Sequence, residues 1–176
     1  LRKWRPDSLE RREYSCSTFM LYLGLDKVYD MPHHAILFAE DYRANLEDIT
    51  ERKILSDDMS LYVRNATATD PTLAPDGKSA VYVLVPVPNC RADLDWDKER
   101  GPFREKVLEK IASRTCMTDI ADHIEQEKII GPAEWEQDYN VYIGATFNMA
   151  HTLSQLLYFR PHNEFEEVES CYLVGG

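Results

Sequence analysis

The side chains able to do chemistry in this 176-residue chain are five histidines, four cysteines and a surplus of carboxylates. Their spacing organises few of them into a site. A metal ion needs His, Cys or carboxylate ligands clustered at turn or helix spacing. His33 and His34 are adjacent, so in a strand their rings would point to opposite faces and could not share one ion. His123, His151 and His162 stand alone, and no metal site is expected. Cys16, Cys90, Cys116 and Cys171 form no C-x-x-C pair and read as reduced, mostly buried thiols. Nucleophilic catalysis lacks its setting as well, because Ser154 lies between Leu153 and Gln155 without the glycines of a nucleophile turn. Neither G-x-G-x-x-G nor a Walker loop is present, so the chain has no dinucleotide-phosphate motif of its own. Asp70, directly before Pro71, suits an Asx turn better than acid catalysis.

One stretch is less ordinary. From Asn140 to Asn163 the chain is almost uncharged, and it carries Gly144, Phe147, Asn148, Met149, His151 and Gln155. In a protein this acidic, such a segment is either plain core or the lining of an apolar cavity.

The elements that must position these residues follow from hydrophobic periodicity. Tyr14 to Leu25 is rich in aromatic and apolar residues and predicts a long strand, and Ala35 to Ala39 a short neighbour. Asp41 to Ile54 carries Leu46, Ile49 and Ile54 among charges, which predicts a surface helix. Met59 to Arg64 alternates with period two, as a half-buried strand does. Pro75-Asp76-Gly77 predicts a tight turn, and Ala80 to Val87 a central strand ended by Pro86 and Pro88. Phe103, Val107, Leu108 and Ile111 share one helical face, and Pro102 fits a first helical position. Ile124 to Ile130 predicts a strand stopped by Gly131-Pro132, with a short helix over 133–139 and a closing strand at Tyr172-Leu173-Val174. Hairpin-like spacings outnumber βαβ units, so the expected fold class is α+β, an antiparallel or mixed sheet with flanking helices.

Composition bounds the partners. Apolar residues make up 44% and charged residues 29%, with Lys+Arg 20 against Asp+Glu 31, for a net charge of −11. That balance argues against a nucleic-acid or anionic-lipid surface. The only basic cluster is Arg2-Lys3-Trp4-Arg5. No run reaches the ~18–20 apolar residues of a bilayer span, so membrane contact is expected to be peripheral and the location cytoplasmic. A first residue other than Met, and an aliphatic strand running into Gly175-Gly176, read as a piece of a longer protein.

Several motifs occur together and in order: Thr69-Asp-Pro-Thr-Leu-Ala-Pro-Asp-Gly77, Tyr82-Val-Leu-Val-Pro-Val-Pro88, Gly144-Ala-Thr-Phe147, Phe159-Arg-Pro-His-Asn163 and Tyr172-Leu-Val-Gly-Gly176. The ordered set resembles the bacterial-type phytoene desaturases (phytoene dehydrogenases) of the flavin-dependent amine oxidase superfamily. The resemblance runs from Tyr14 onward. It implies the substrate-binding domain (1–171) of a two-domain FAD-dependent oxidoreductase, with 172–176 beginning the strand that returns to the FAD-binding domain. It further implies an enzyme that dehydrogenates a long apolar polyene, with this part lining the substrate tunnel and inactive alone. By position, Gly175 and Gly176 match the family glycines that let the backbone approach the flavin. Gly144, Phe147, Asn148 and His151 match the stretch leading to the substrate, and Arg160 an anchor of the turn before the last strand. The ADP-binding motif lies outside this sequence. A carotene isomerase or polyene oxidase on the same scaffold, or a non-catalytic hydrophobe-binding module, are the competing readings.

Overall fold

The computed structural model describes residues 4–164 and 168–173. After a short helix α1 (Pro6–Glu10) come β1 (Ser17–Leu25), β2 (His34–Leu37), α2 (Tyr42–Glu47), β3 (Leu61–Asn65), β4 (Ser79–Val87), α3 (Trp96–Arg114), β5 (Ile124–Ile130) and α4 (Pro132–Gln137). Among the described residues the strands form one five-stranded sheet, ordered β2-β3-β4-β1-β5, and every pairing in it is antiparallel. The fold is α+β, as the hairpin spacings predict.

The strict alternation in β3 and β4 sorts the sheet into two faces. Phe19, Leu21, Leu23 and Leu25 of β1 lie beside Val81, Val83, Val85 and Val87 of β4 and Leu61 and Val63 of β3, all buried. Helix α3 covers this face with Trp96, Phe103, Val107, Leu108 and Ile111. The helix is pinned to the sheet at Phe19, whose ring stacks on Trp96 (6.1 Å) and meets Phe103 edge-on (5.1 Å). Charges tie its solvent side down: Arg104 donates Nε to both carboxylate oxygens of Glu127 on β5 (2.8 and 2.9 Å), and Lys110 pairs with Asp58 (2.6 Å).

Pro102 does not start the helix. It sits inside α3, seven residues along, because Trp96 is buried on Phe19 and so the helix begins there. The missing N–H at Pro102 leaves Lys98 without its i+4 donor, and packing of the first turn offsets that loss. The predicted surface helix is found shorter, as α2 followed by a wide π turn over Asp48–Arg52. That turn closes on Lys53 with a left-handed φ of 54°. Of its three marked apolar residues only Ile49 is buried, while Leu46 and Ile54 are exposed. Strand β1 begins at Ser17 rather than Tyr14. Tyr172 forms only an isolated bridge with Glu164, and Val174 lies outside the described residues. The turns are as expected: Gly77 takes φ +77°, Lys78 N donates to Pro75 O, and Asp70 accepts from Thr72 N (3.0 Å).

The cysteines are less buried than predicted. Cys16, Cys90 and Cys171 are partly exposed and Cys116 is exposed, since all four lie outside the strands and helices. Burial still pushes the Cys16 thiol up, and burial beside the Glu136 carboxylate pushes Cys90 up to about 12.

A polar clasp joins the β1–β2 connection to the turn before β5. Tyr29 donates to Asp119 (2.8 Å), Lys27 pairs with the same carboxylate, and His123 bridges Asp119 (3.2 Å) and Asp26 (2.7 Å). Lys27, then the Tyr29 hydroxyl, hold the Asp119 carboxyl well below the usual carboxylate range. A depressed folded-state pKa means stability present above the unfolded value of ~3.9 and lost as pH falls below it. The thermal midpoint should therefore drop on acidification below about pH 4. Asp119→Asn should lower the midpoint at pH 7 and shrink that acid drop. Equal acid drops in both proteins would remove the clasp from the account.

Candidate functional site

The second face of the sheet is buried at Thr18, Met20 and Ile130 and opens towards β2, where Ile36 is 61% exposed. Its residues are the even-numbered ones of β1, β3 and β4, and the registers align them into two rows that cross the strands. Ile130, Met20, Leu84, Tyr62 and Ile36 are successive cross-strand partners from β5 to β2. The neighbouring row runs Lys128, Tyr22, Tyr82, Arg64, His34. Each row spans four strand spacings of ~4.8 Å, about 19 Å in all.

The rings make a continuous path. His34 stacks near Tyr62 (5.9 Å), Tyr62 meets Tyr82 (5.8 Å), and Tyr82 meets Tyr22 (5.9 Å). At the β5 side Tyr139 approaches Trp135 (5.0 Å), and the Trp135 indole N–H donates to Thr18 O (2.9 Å), which docks α4 at this edge. Burial raises the Tyr22 phenol above its ordinary range, helped by Tyr139 and Tyr82; burial and the bond to Tyr82 do the same at Tyr62. The hydroxyls therefore stay protonated at neutral pH. Such a surface offers π faces and aliphatic carbons, with two cations in its second row: Arg64 between Tyr82 and His34, its guanidinium over the Tyr82 ring (5.6 Å), and Lys128 at the β5 end, over Tyr139 (5.8 Å).

His33 and His34 correct the sequence expectation. Their rings stack at 4.2 Å, because β2 begins at His34 and His33 belongs to the preceding bend, where strand alternation does not apply. Arg64 donates Nε–H to His33 Nε2 (3.0 Å), so the His33 proton sits on Nδ1 and is donated to Thr69 Oγ1 (2.6 Å). Partial desolvation, then His34 and Arg64, push His33 below its ordinary range and keep it neutral. Among the described residues, no group of three His, Cys, Asp or Glu side chains could hold a metal ion.

The candidates in the uncharged stretch lie elsewhere, at the end of the sheet where β1 starts and β4 stops. Phe147 N–H donates to Ser15 Oγ (3.1 Å), Asn148 O accepts from Ser15 N (2.9 Å), and Met149 bridges Tyr14. Phe147, Asn148 and His151 are exposed. Gly144 is buried at φ +64°, and a Cβ there would fall 2.5 Å from Pro132 O and 3.1 Å from Cys90 Sγ. Gly144→Ala should therefore cost about 1–3 kcal/mol from the backbone alone, with overlap on Pro132 adding to it. Urea unfolding checks this, and an unchanged midpoint would refute it. Neither a plain core nor a closed cavity describes this stretch: Ala145 and Gln155 are buried, whereas Leu153 and Leu157 are each 89% exposed. Arg160 does anchor its turn, donating to Met149 O (2.8 Å) and Gln155 O (3.3 Å). A cavity of about 400 Å³ nearby is walled by Tyr14, Ile49, Lys53, Asn89 and Arg91, a mixed polar lining unlike the open face. Gly175 and Gly176 lie outside the described residues.

Sequence reasoning missed Tyr22, Tyr62, Tyr82, Met20 and Leu84. The signal was available in the alternation itself: the residues between the buried valines of β4, and between Leu61 and Val63, must line a second face.

Fold and open face define a class: an α+β unit whose sheet is armoured by a helix on one side and presents an aromatic, apolar wall on the other. No family model matches the chain. Curated proteins do. It is 58% identical over 176 residues to a 4,4'-diapophytoene desaturase (4,4'-diapolycopene-forming) of Methylomonas sp, matching all of this chain and 34% of that protein. It is 42% identical over 174 residues to an all-trans-zeta-carotene desaturase of Myxococcus xanthus, over 96% of this chain and 32% of that protein. A 4,4'-diapophytoene desaturase (4,4'-diaponeurosporene-forming) of Staphylococcus aureus (strain Newman) is 35% identical over 182 residues, 100% of this chain and 36% of its own length. The resemblance carried by the motifs is thus shown: end to end, this chain is similar to part of the carotenoid desaturases. It spans about a third of the length of the curated relatives it matches. Among the described residues no helix is long and apolar enough to cross a membrane.

Proposed function

We propose that the protein carrying this chain is an FAD-dependent carotenoid desaturase, peripheral to a membrane on its cytoplasmic side, and that this chain is its substrate-binding domain, with 172–176 leading back to the flavin domain. The observation that carries the reading is the open sheet face, where an uncharged row, Ile130, Met20, Leu84, Tyr62 and Ile36, runs beside a row that holds Tyr22, Tyr82 and His34 with Lys128 and Arg64. A hydrocarbon polyene has no polar handle, so it is held by buried apolar area and by shape. The wall binds through Leu84 and Ile36, with buried Met20 beneath them, and orients through Tyr22, Tyr62 and Tyr82. Together these side chains exclude water from the polyene.

The flavin's phosphates do not fit the described part. Each helix start already holds a carboxylate: Asp7 in α1, Asp41 at α2, Asp95 and Asp97 at α3, Glu134 at α4. These repel a pyrophosphate where an N-terminus would otherwise attract it. FAD is therefore assigned to the rest of the protein, with Gly175 and Gly176 as its proposed contacts. The isolated chain should bind FAD weakly or not at all. Gly144, Phe147, Asn148 and His151 remain proposed substrate-side residues, at the end of the sheet rather than on the ring row.

The test uses the full-length protein, expressed in a colourless bacterial host that makes phytoene or diapophytoene. New visible absorption bands in the extracted lipid are expected, because added double bonds lengthen the conjugated system. A colourless extract with the protein present and flavin-loaded would overturn desaturation. Altered double-bond geometry without new bands would indicate the isomerase, oxygenated product the oxidase, and bound but unchanged polyene the binding module.

A further inference from the structure

The wall is closed at its β5 end. Exposure along the uncharged row rises from 5% at Ile130 and Met20, through half-buried Leu84 and Tyr62, to 61% at Ile36. The buried end is where α4 docks, and two rings stand there.

Strand β5 ends at Ile130, and Gly131-Pro132 turns the chain straight into α4. Glu134 secures that turn, accepting from Gly131 N–H (2.8 Å) and pairing with Arg100 of α3. Trp135 is fixed by its indole N–H on Thr18 O, and its own carbonyl accepts from Val141 N–H (2.9 Å), which folds the chain back past Tyr139. The Tyr139 ring lies 5.0 Å from Trp135, and its hydroxyl accepts from Lys128 Nζ (3.2 Å), the β5 residue that begins the second row. It is also near enough to Tyr22 to help raise that phenol. Lys128 and Tyr22 both belong to the second face, so the Tyr139 ring stands on the wall's side of the sheet. Although held by Trp135 and Lys128, it is 46% exposed. A ring fixed in place, yet uncovered, at the end of an apolar row makes a step.

We propose that Tyr139, backed by Trp135, is a stop against which one end of the polyene rests, and that this stop selects the chain length the enzyme takes. The proposal rests on the desaturase reading above and adds to it a specificity-determining residue. The attraction of a hydrocarbon to an apolar surface has no direction, so a polyene can slide along the row until something solid meets its end. Dehydrogenation takes place at one position, and the stop therefore limits how much chain can lie beyond the reacting bond on the α4 side. Surplus chain on the other side runs out past exposed Ile36. Phytoene carries one more prenyl unit in each half than diapophytoene does. A phenol ring is about as deep as that unit is long, so Tyr139 fills the space the extra unit would need. Its role is positioning: it meets only the end of the chain and takes no proton.

The experiment supplies phytoene and diapophytoene separately to the full-length, flavin-loaded protein and obtains kcat/KM for each from the visible bands of the product. Tyr139→Ala should raise the phytoene-to-diapophytoene ratio at least ~10-fold over the parent, the scale on which a hydrophobic pocket tells chains of different length apart. Tyr139→Trp should lower the ratio, and Tyr139→Phe should leave it at the parent's value, because the ring is the stop and the hydroxyl is not. Loss of fold or of flavin would depress both substrates alike, whereas a stop moves the ratio, and in opposite directions for the smaller and the larger side chain. If Tyr139→Ala fails to fold, Tyr139→Trp carries the test. An unmoved ratio, or equal falls with both polyenes, would overturn the proposal and leave Tyr139 as a support for α4. A parent that makes product while its variants keep the parent's ratio overturns the stop alone. A parent that makes none from either polyene overturns the desaturase reading, and the stop with it.

Discussion

Phe19→Ala will lower the stability of the fold by about 3–5 kcal/mol, the range for truncating a large core aromatic. The residue has no exposed surface, and it is the point where α3 meets the sheet through both Trp96 and Phe103. The expected loss exceeds the transfer term, because the hole left under α3 is bounded by a sheet and a helix that cannot both collapse into it. It also has a direction. The first turn and a half of α3 lies before Pro102, which cannot donate to Lys98, and that part is held down largely by Trp96 on Phe19. Removing the ring should fray 96–101 before the remainder unfolds. Urea unfolding of the full-length protein followed by tryptophan fluorescence reads both effects: a lower midpoint, and an early emission change as Trp96 becomes wet. Phe19→Leu keeps most of the volume and should cost about 1–2 kcal/mol. If Phe19→Ala lost less than about 1 kcal/mol, α3 would be held by its outer ion pairs instead.

The same residues show what was legible beforehand. Ala80 to Val87 reads as a central strand because it is the most apolar run of the chain, and strand β4 is found with its valines inward, though Pro86 lies within it, opposite Thr18, rather than ending it. Ile124 to Ile130 and the Pro75-Asp76-Gly77 turn were equally plain, since their punctuation is local. Long-range packing was not. Nothing near Pro102 shows that Trp96 will find Phe19, seventy-seven positions earlier, and so extend the helix upstream of the proline. The stacking of His33 on His34 depends on where β2 begins, which its pairing with Arg64 on β3 decides. The ring row was hidden for the same reason. Tyr22, Tyr62 and Tyr82 sit twenty, forty or sixty positions apart, and only the antiparallel registers bring them side by side. The motifs did carry the likeness to carotenoid desaturases, because each keeps its order along the chain whatever the fold around it. They drew attention to 144–151, which is unusual in composition, and away from the tyrosines, which are not.

Leu84→Asp and Phe147→Asp, made separately in the full-length protein, set these two regions against each other. Leu84 occupies the middle of the apolar row, with Met20 and Tyr62 as its cross-strand partners, and points away from the helix-covered core. A carboxylate there would lie under a hydrocarbon ligand with no cation in its own row, and its short stem cannot carry the charge to water. Desolvating that charge should lose about 3–4 kcal/mol of polyene binding or transition-state stabilisation, a 100- to 1,000-fold fall in kcat/KM. Leu84→Met, similar in volume and equally apolar, should stay within a few-fold. Phe147 is 45% exposed and offers its backbone N–H to Ser15, so an aspartate there can remain hydrated. Its expected loss is under tenfold, about 1 kcal/mol. Flavin content and thermal midpoint, compared with the parent, separate a wall effect from a folding defect. A large loss at Phe147 with little at Leu84 would move the polyene off the sheet face and onto the segment at its end. Large losses at both would describe one path for the chain, entering over the rings and ending beside Asn148 and His151.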